Sequence, residues 1–242
     1  MEPKSTKKNI SSVIPSNYGE IPIVYEDNHL LVVNKPTGLL SQGDETGDPD
    51  LLSLLKKYLK EKYQKPGNVF LALVQRLDRG TSGLMVFART SKAASRISEQ
   101  IRARRVEKRY LAVVLSDKIS TGVFTHYLKK DKDRRKALVS DHSLDRYQKS
   151  VLELQHLETV EKRSLVSIIL ETGRYHQIRA QLSHLGMPIC GDRKYGAPRS
   201  SGSNPALICN QLDIRHPTQN HVMSFSVQPP STEPWKHFTF HS

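Results

Sequence analysis

A chain of 242 residues is long enough for one large domain or two small ones, with room for a full-sized core. Its 37% hydrophobic content is ordinary for a globular protein, but its formal charge of +13, from 37 Lys and Arg against 24 Asp and Glu, makes a field that attracts polyanions such as RNA, DNA or an acidic membrane surface. Two cysteines, Cys190 and Cys209, without a CxxC spacing, exclude a disulfide scaffold and a thiolate metal site, and no run approaches the roughly 18 apolar residues that span a bilayer.

The opening MEPKSTKKNISS has no apolar secretory segment, so a reducing, cytoplasmic setting is expected. Residues 1–19 show no apolar period and read as a flexible basic tail. From Ile21 the pattern turns strand-like: IPIVY, a turn at Glu26-Asp27-Asn28, then HLLVVNK ending at Lys35-Pro36. A Gly- and Asp-rich loop follows. Asp50 then has the position of an N-cap for LLSLLKKYLKEKY, in which Leu51, Leu52, Leu55, Tyr58 and Leu59 keep helical spacing.

FLALVQ and GLMVFAR read as short strands around the polar segment Arg76–Ser82, and Ser91 can cap a helix running to about Arg104. VEKRYLAVVL, GVFTHYL, KALVS, KSVLELQHLE and RSLVSIILE supply further strands at short intervals. YHQIRAQLSHL is a helix stopped by Gly186, and ALICNQLDI and VMSFSV close the chain as strands. Many mostly antiparallel strands with a few helices define an α+β protein.

The positive charge is concentrated in IRARRVEKR (101–109) and KKDKDRRK (129–136). Either stretch alone is explained by a solvated helix face or hairpin tip. Together, and beside Arg76, Arg79, Arg174 and Arg179, they favour a surface that contacts phosphates.

One polar loop combines the elements of a reactive site. In Arg76-Leu77-Asp78-Arg79-Gly80-Thr81-Ser82-Gly83 a carboxylate is flanked by arginines, which favour its ionised form, and by glycines that relax the backbone. On composition alone a turn tied by an ordinary Asp–Arg pair is the favoured reading. The full string VQRLDRGTSGLMVFA, however, closely resembles the H-R-L-D-x-x-T-S-G-L motif of the RluA-type pseudouridine synthases. VVNKPTGLL resembles that family's N-K-P-x-G motif, VEKRYLAVV its K-x-Y-x-A-x-V strand, ETGRYHQIRAQLSHLGMPICGDRKYGA its long T-G-R-x-H-Q-I-R block, and LDIRHP its late L-x-F-x-H-P segment. Ordered matches from about Ile21 to Phe240 are far more specific than a lone short motif.

The resemblance implies a pseudouridine synthase fold over residues 20–242: a mixed, mainly antiparallel sheet, flanked by helices and split by an RNA-binding cleft. It implies a cofactor-free, metal-free isomerase acting on a tRNA or rRNA stem-loop, with no obligate protein partner. Asp78 matches the catalytic aspartate and Tyr110 the tyrosine that stacks on the target uracil. Arg179 matches the basic residue that pairs with the aspartate, and Arg76 the arginine that fills the space left by the flipped nucleotide. Phosphate and RNA contacts are expected from Arg79, Lys108, Arg174, His176, Gln177, Lys129, Lys130, Arg134 and Arg135. The residues ahead of Ile21 are too few to build the S4-type module of many relatives, so recognition is expected to fall on the catalytic domain.

The chain also departs from the pattern. Gln75, Gln181 and Cys209 stand where the family has histidines, which points to three former neighbours with rebuilt polar contacts. His176 and His184 are eight apart on one helix without an acidic residue at ligand spacing, and no metal is expected there. The alternative reading is an RNA-binding or chaperone protein derived from a synthase. It would not need Asp78, Tyr110 and Arg179 together. A metal nuclease would need clustered acidic ligands that the sequence does not offer.

Overall fold

The structure is a computed structural model that describes residues 12–240. In chain order the described residues form β1 (Ser12–Ile14), β2 (Ile21–Glu26), β3 (Leu30–Lys35), α1 (Leu51–Lys62), β4 (Ala72–Leu73), β5 (Ser82–Ala88), α2 (Ser91–Arg102) and β6 (Glu107–Val114). They continue with β7 (Gly122–Asp131), β8 (Lys136–Ser140), β9 (Gln148–Val160), β10 (Arg163–Leu170), α3 (Gln177–His184), β11 (Leu207–Arg215) and β12 (Val222–Ser226). The ladders of both units described below are antiparallel, giving the expected α+β class. The chain divides into two compact units, one running to Glu107 with Gln211–Val227 and the other comprising Lys108–Asn210 with the residues from Gln228 onward.

In the first unit β1, β2, β3 and β5 pair in that order, with β4 on β5 and β12 on the second half of β11. Leu30–Val33 and Leu84–Ala88 are fully buried, so β3 and β5 read as unbroken apolar runs with no solvent face to alternate with. Helix α1 begins where Asp50 accepts a hydrogen bond from the Ser53 amide at 3.0 Å, and it buries Leu51, Leu55 and Leu59, one turn apart. Its exposed end is tied to β2, because Tyr58 and Lys62 both donate to the Glu26 carboxylate.

In the second unit the order is β6, β10, β9, β7, β8, and one register line runs Tyr110–Ile168–Leu154–Gly122. Helix α3 is unusual in having every residue from Gln177 to Leu182 buried, three of them polar. Each of those three side chains therefore needs a protein partner. Gln177 and Gln181, one turn apart, reach the carbonyls of Val151 and Ser150 on β9, and Arg179 projects from the other side.

Several boundaries differ from the sequence reading. Part of the expected tail is structured: Ser12–Ile14 pairs with Ile21–Ile23 and buries Ile14, a run too short to show a period, while residues 1–11 lie outside the described residues. The strand expected across FLALVQ shrinks to Ala72–Leu73, since the chain turns off toward Ser41, whose hydroxyl accepts from the Leu77 amide. Thr90, not Ser91, caps α2 by accepting from the Ala93 amide. Helix α3 starts at Gln177 because His176 takes the left-handed conformation, with φ 53°. Among the described residues no helix is long and apolar enough to cross a membrane.

Candidate active site

In the first unit the loop that carries Asp78 is clamped by the loop after β3. Gly38 donates its amide to the Arg79 carbonyl at 2.8 Å, Thr37 its hydroxyl to the Gly80 carbonyl at 2.9 Å, and Ser41 its hydroxyl to the Leu77 carbonyl at 2.7 Å. The Thr81 amide closes the turn on the Asp78 carbonyl at 3.0 Å, and Asp78 itself is half-buried. Gly38, with φ 87°, is needed at the contact, since a side chain there would also crowd the Tyr18 ring at 3.1 Å. The N-K-P-x-G and R-L-D motifs are therefore two halves of one rigid platform.

Lys35 lies beneath that platform, with none of its surface exposed. Its ammonium donates to the carbonyls of Leu39 at 2.8 Å, Pro36 at 3.0 Å and Arg79 at 3.2 Å. Burial pushes its pKa down to about 7, against an opposing pull from the Asp78 carboxylate. The sequence reading assigned Lys35 no role. A lysine ending the apolar run LLVVNK was the available signal.

Arg79 is exposed. Its guanidinium bonds Asp48 at 2.6 Å, the Gly38 carbonyl at 2.9 Å and the Tyr18 hydroxyl at 3.4 Å. Arg76 is exposed. Gln75, at the position of a family histidine, is buried with both amide atoms lacking a hydrogen-bond partner.

In the second unit Arg179 is held by a carboxylate that the sequence reading did not foresee. Its Nε and Nη2 bond the two oxygens of Asp192 at 2.6 and 2.8 Å, in the bidentate geometry that suits guanidinium and carboxylate, and both residues are buried. The Tyr195 ring packs under the guanidinium at 5.1 Å. The Tyr195 hydroxyl accepts from the Ala137 amide at 2.7 Å and also hydrogen-bonds Nδ1 of His176 at 2.9 Å. Burial and the cations Arg179, Lys194 and Lys130 push the His176 pKa down to about 3, keeping the ring neutral. Asp192 and Tyr195 are the D and Y of GDRKYG, and their spacing of three was the visible clue.

Tyr110 is buried in β6, next to Cys209, which is fully buried and whose pKa burial raises to about 12. Lys108, on the same face of β6, is also desolvated, and its pKa is lowered. Of the three residues at family-histidine positions, Gln181 bonds His126, Cys209 adjoins Tyr110, and Gln75 lacks a partner.

The expected phosphate contacts separate into two kinds. Lys129, Lys130 and Arg174 converge with Arg146, unforeseen, and Tyr175 around a cleft of about 340 Å³. Arg134 and Arg135 form the exposed tip of the β7–β8 hairpin. Gln177, by contrast, is buried with its amide occupied: it accepts from Thr172 and the Arg174 amide and donates to Val151, so it shapes the TGRY turn.

An antiparallel α+β fold with these motifs defines a class of RNA-modifying enzymes. Residues 29–184 match the family described as RNA pseudouridylate synthase, and the chain belongs to that family. A Bacillus subtilis protein named as an uncharacterized RNA pseudouridine synthase is 33% identical over 219 residues, which span 88% of this chain and 70% of that protein. Ribosomal large subunit pseudouridine synthase D of Xylella fastidiosa is 37% identical over 191 residues, spanning 78% of this chain but only 56% of that protein. The chain thus covers little more than half of some relatives. Among solved structures, human RNA pseudouridylate synthase domain containing 4 superposes with a TM-score of 0.71 at 26% identity, covering 86% of this chain and 88% of that one.

Proposed function

We propose that this chain itself converts uridine to pseudouridine in a structured RNA, with Asp78 as the reacting carboxylate. The observation that carries the reading is the Asp78 loop, a family motif whose backbone is fixed from Gly38, Thr37 and Ser41 so that one half-buried carboxylate stands at its turn. Fixed placement of a reacting group is what turns binding into rate. The reaction breaks the N1–C1′ bond, rotates the uracil and joins C5 to C1′, and the C5 proton is lost as N1 gains one. Nothing is added to or removed from the RNA, so the chemistry requires no redox cofactor.

Tyr110 and Arg179 complete the proposed set, the tyrosine against the target base and the arginine as the cation beneath it. An extruded base costs roughly a few kcal/mol to unstack, and an aromatic face recovers about 1–3 kcal/mol. Lys129, Lys130, Arg174 and Arg146 are proposed as the phosphate cradle, with Arg76, Arg79, Arg134, Arg135 and Lys108 as further contacts. A stem-loop of rRNA or tRNA in the cytoplasm fits the +13 charge and the two free thiols. The test is tritium release from RNA carrying C5-labelled uridine, using total RNA from cells lacking the gene. Release by the wild-type chain is expected. Binding without release from any RNA of its own cell would leave only the RNA-binding reading.

A further inference from the structure

Helix α3 ends close to two groups that no motif connects. His126 of β7 and His184 of α3 stand edge to face with ring centroids 5.1 Å apart, and Asp141, just past β8, lies against both. Its Oδ1 is 2.8 Å from His184 Nε2 and 3.7 Å from His126 Nε2. One ligand atom from each of the three residues falls within 4.8 Å of the others. All three belong to the second unit, and none has a place in the proposed isomerisation.

We propose that His126, His184 and Asp141 form a binding site for a divalent transition-metal ion of the zinc class. Two imidazoles and one carboxylate are a donor set that such ions take with a further position left open, whereas Mg²⁺ and Ca²⁺ prefer oxygen donors throughout. Metal–ligand bonds of about 2.0–2.2 Å around a tetrahedral ion put its donors roughly 3.3 Å apart. The present spacings bracket that value, so small side-chain rotations suffice. Burial is graded to suit, with His126 at 7% side-chain exposure, His184 at 33% and Asp141 at 64%, which leaves the open position toward solvent.

The outer shell fixes which nitrogen binds. Nδ1 of His126 faces the Gln181 amide at 2.8 Å, so Nε2 is the atom available for the ion. Binding through Nε2 requires the proton on Nδ1, and that proton needs an acceptor. The Gln181 Oε1 is a buried oxygen without a hydrogen-bond partner, and turning the amide over brings it onto Nδ1–H in exchange for the long 3.5 Å contact of the amide nitrogen with the Ser150 carbonyl. Gln181 stands where the family motif has histidine, so the proposal attaches to this chain rather than to the family. The ion would tie the segment after β8 to the end of the helix that carries Arg179.

The experiment titrates the EDTA-stripped full chain with Zn²⁺ by calorimetry and with Co²⁺ by visible absorption. The expected result is a single saturable Zn²⁺ site of micromolar affinity or better, with d–d bands of a four- or five-coordinate Co²⁺. Asp141→Asn and His184→Gln alter exposed or part-exposed side chains and should fold normally, yet each should abolish the saturable phase. Gln181→Ala should weaken binding about 10–100-fold. Absence of a saturable site in the wild-type chain overturns the proposal. So does binding that persists in both ligand variants, which would mean adventitious capture by other histidines.

Discussion

Lys35 and Arg179 are buried cations satisfied in different ways, and the difference predicts how each responds to change. Three carbonyl oxygens take the Lys35 ammonium, and burial lowers its pKa to about 7 from an unfolded value near 10.5. Between those values the unfolded chain holds a proton that the folded chain has released. Stability therefore rises with pH across that window, and the gain is lost as pH falls through 7. Lys35→Met should flatten the rise between pH 7 and 8.5 by up to about 1.4 kcal/mol per pH unit. Denaturant melts at several pH values, wild type against variant, measure it. Equal slopes would mean that Lys35 keeps its proton throughout. For Arg179 one partner is itself a buried charge, Asp192, at 1% exposure. Arg179→Ala leaves that carboxylate uncompensated and should cost about 3–5 kcal/mol. Adding Asp192→Asn should return part of the loss, and strictly additive melting shifts would refute the coupling.

At the scale of elements the chain divides into those that a repeating pattern reveals and those that partners create. Helix α1 and strand β2 were readable because apolar residues recur at the period of their element, and β3, β5 and β10 because their apolar runs are short and unbroken. Helix α3 was readable from YHQIRAQLSHL and its stop at Gly186, but the roles of its polar residues were not. Its Gln177, Arg179 and Gln181 are buried polar residues that spoil any apolar stripe and make sense only once β7, β9 and Asp192 surround them. The Lys35 clamp and the His126–Asp141–His184 cluster were hidden for the same reason, since the residues they join are distant in sequence. The β7–β8 hairpin carries the clearest element-level prediction. Lys129 and Lys130 reach the cleft while Arg134 and Arg135 sit at the tip, so all four are accessible to phosphates. Neutralising them together should weaken RNA binding and reduce the slope of log K against log salt by up to about 2.8–3.6, at roughly 0.7–0.9 per contact. An unchanged slope would make the hairpin tip a merely solvated turn.

For the whole molecule the question is whether binding and chemistry are separable, and the charge distribution says that they are. A formal charge of +13 is spread over basic stretches in both units, whereas the proposed chemistry depends on a single carboxylate. Phosphate contacts dominate affinity for RNA and do not involve that carboxylate. Asp78→Asn keeps the shape of the side chain while removing its charge and most of its basicity and nucleophilicity. The backbone of the loop is clamped through Leu77, Arg79 and Gly80, and those bonds are unchanged by the substitution. Tritium release should fall to background, since every route for a carboxylate requires its ionised form. Affinity at fixed salt should stay within a few-fold of wild type and rise slightly, one negative charge having left a site that faces a polyanion. Thermal melting should change little. A variant that binds and folds normally but still turns over would remove Asp78 from the centre of the reaction. A variant that loses binding along with turnover would show instead that the carboxylate organises the RNA surface, and that charge and chemistry are not separate in this chain.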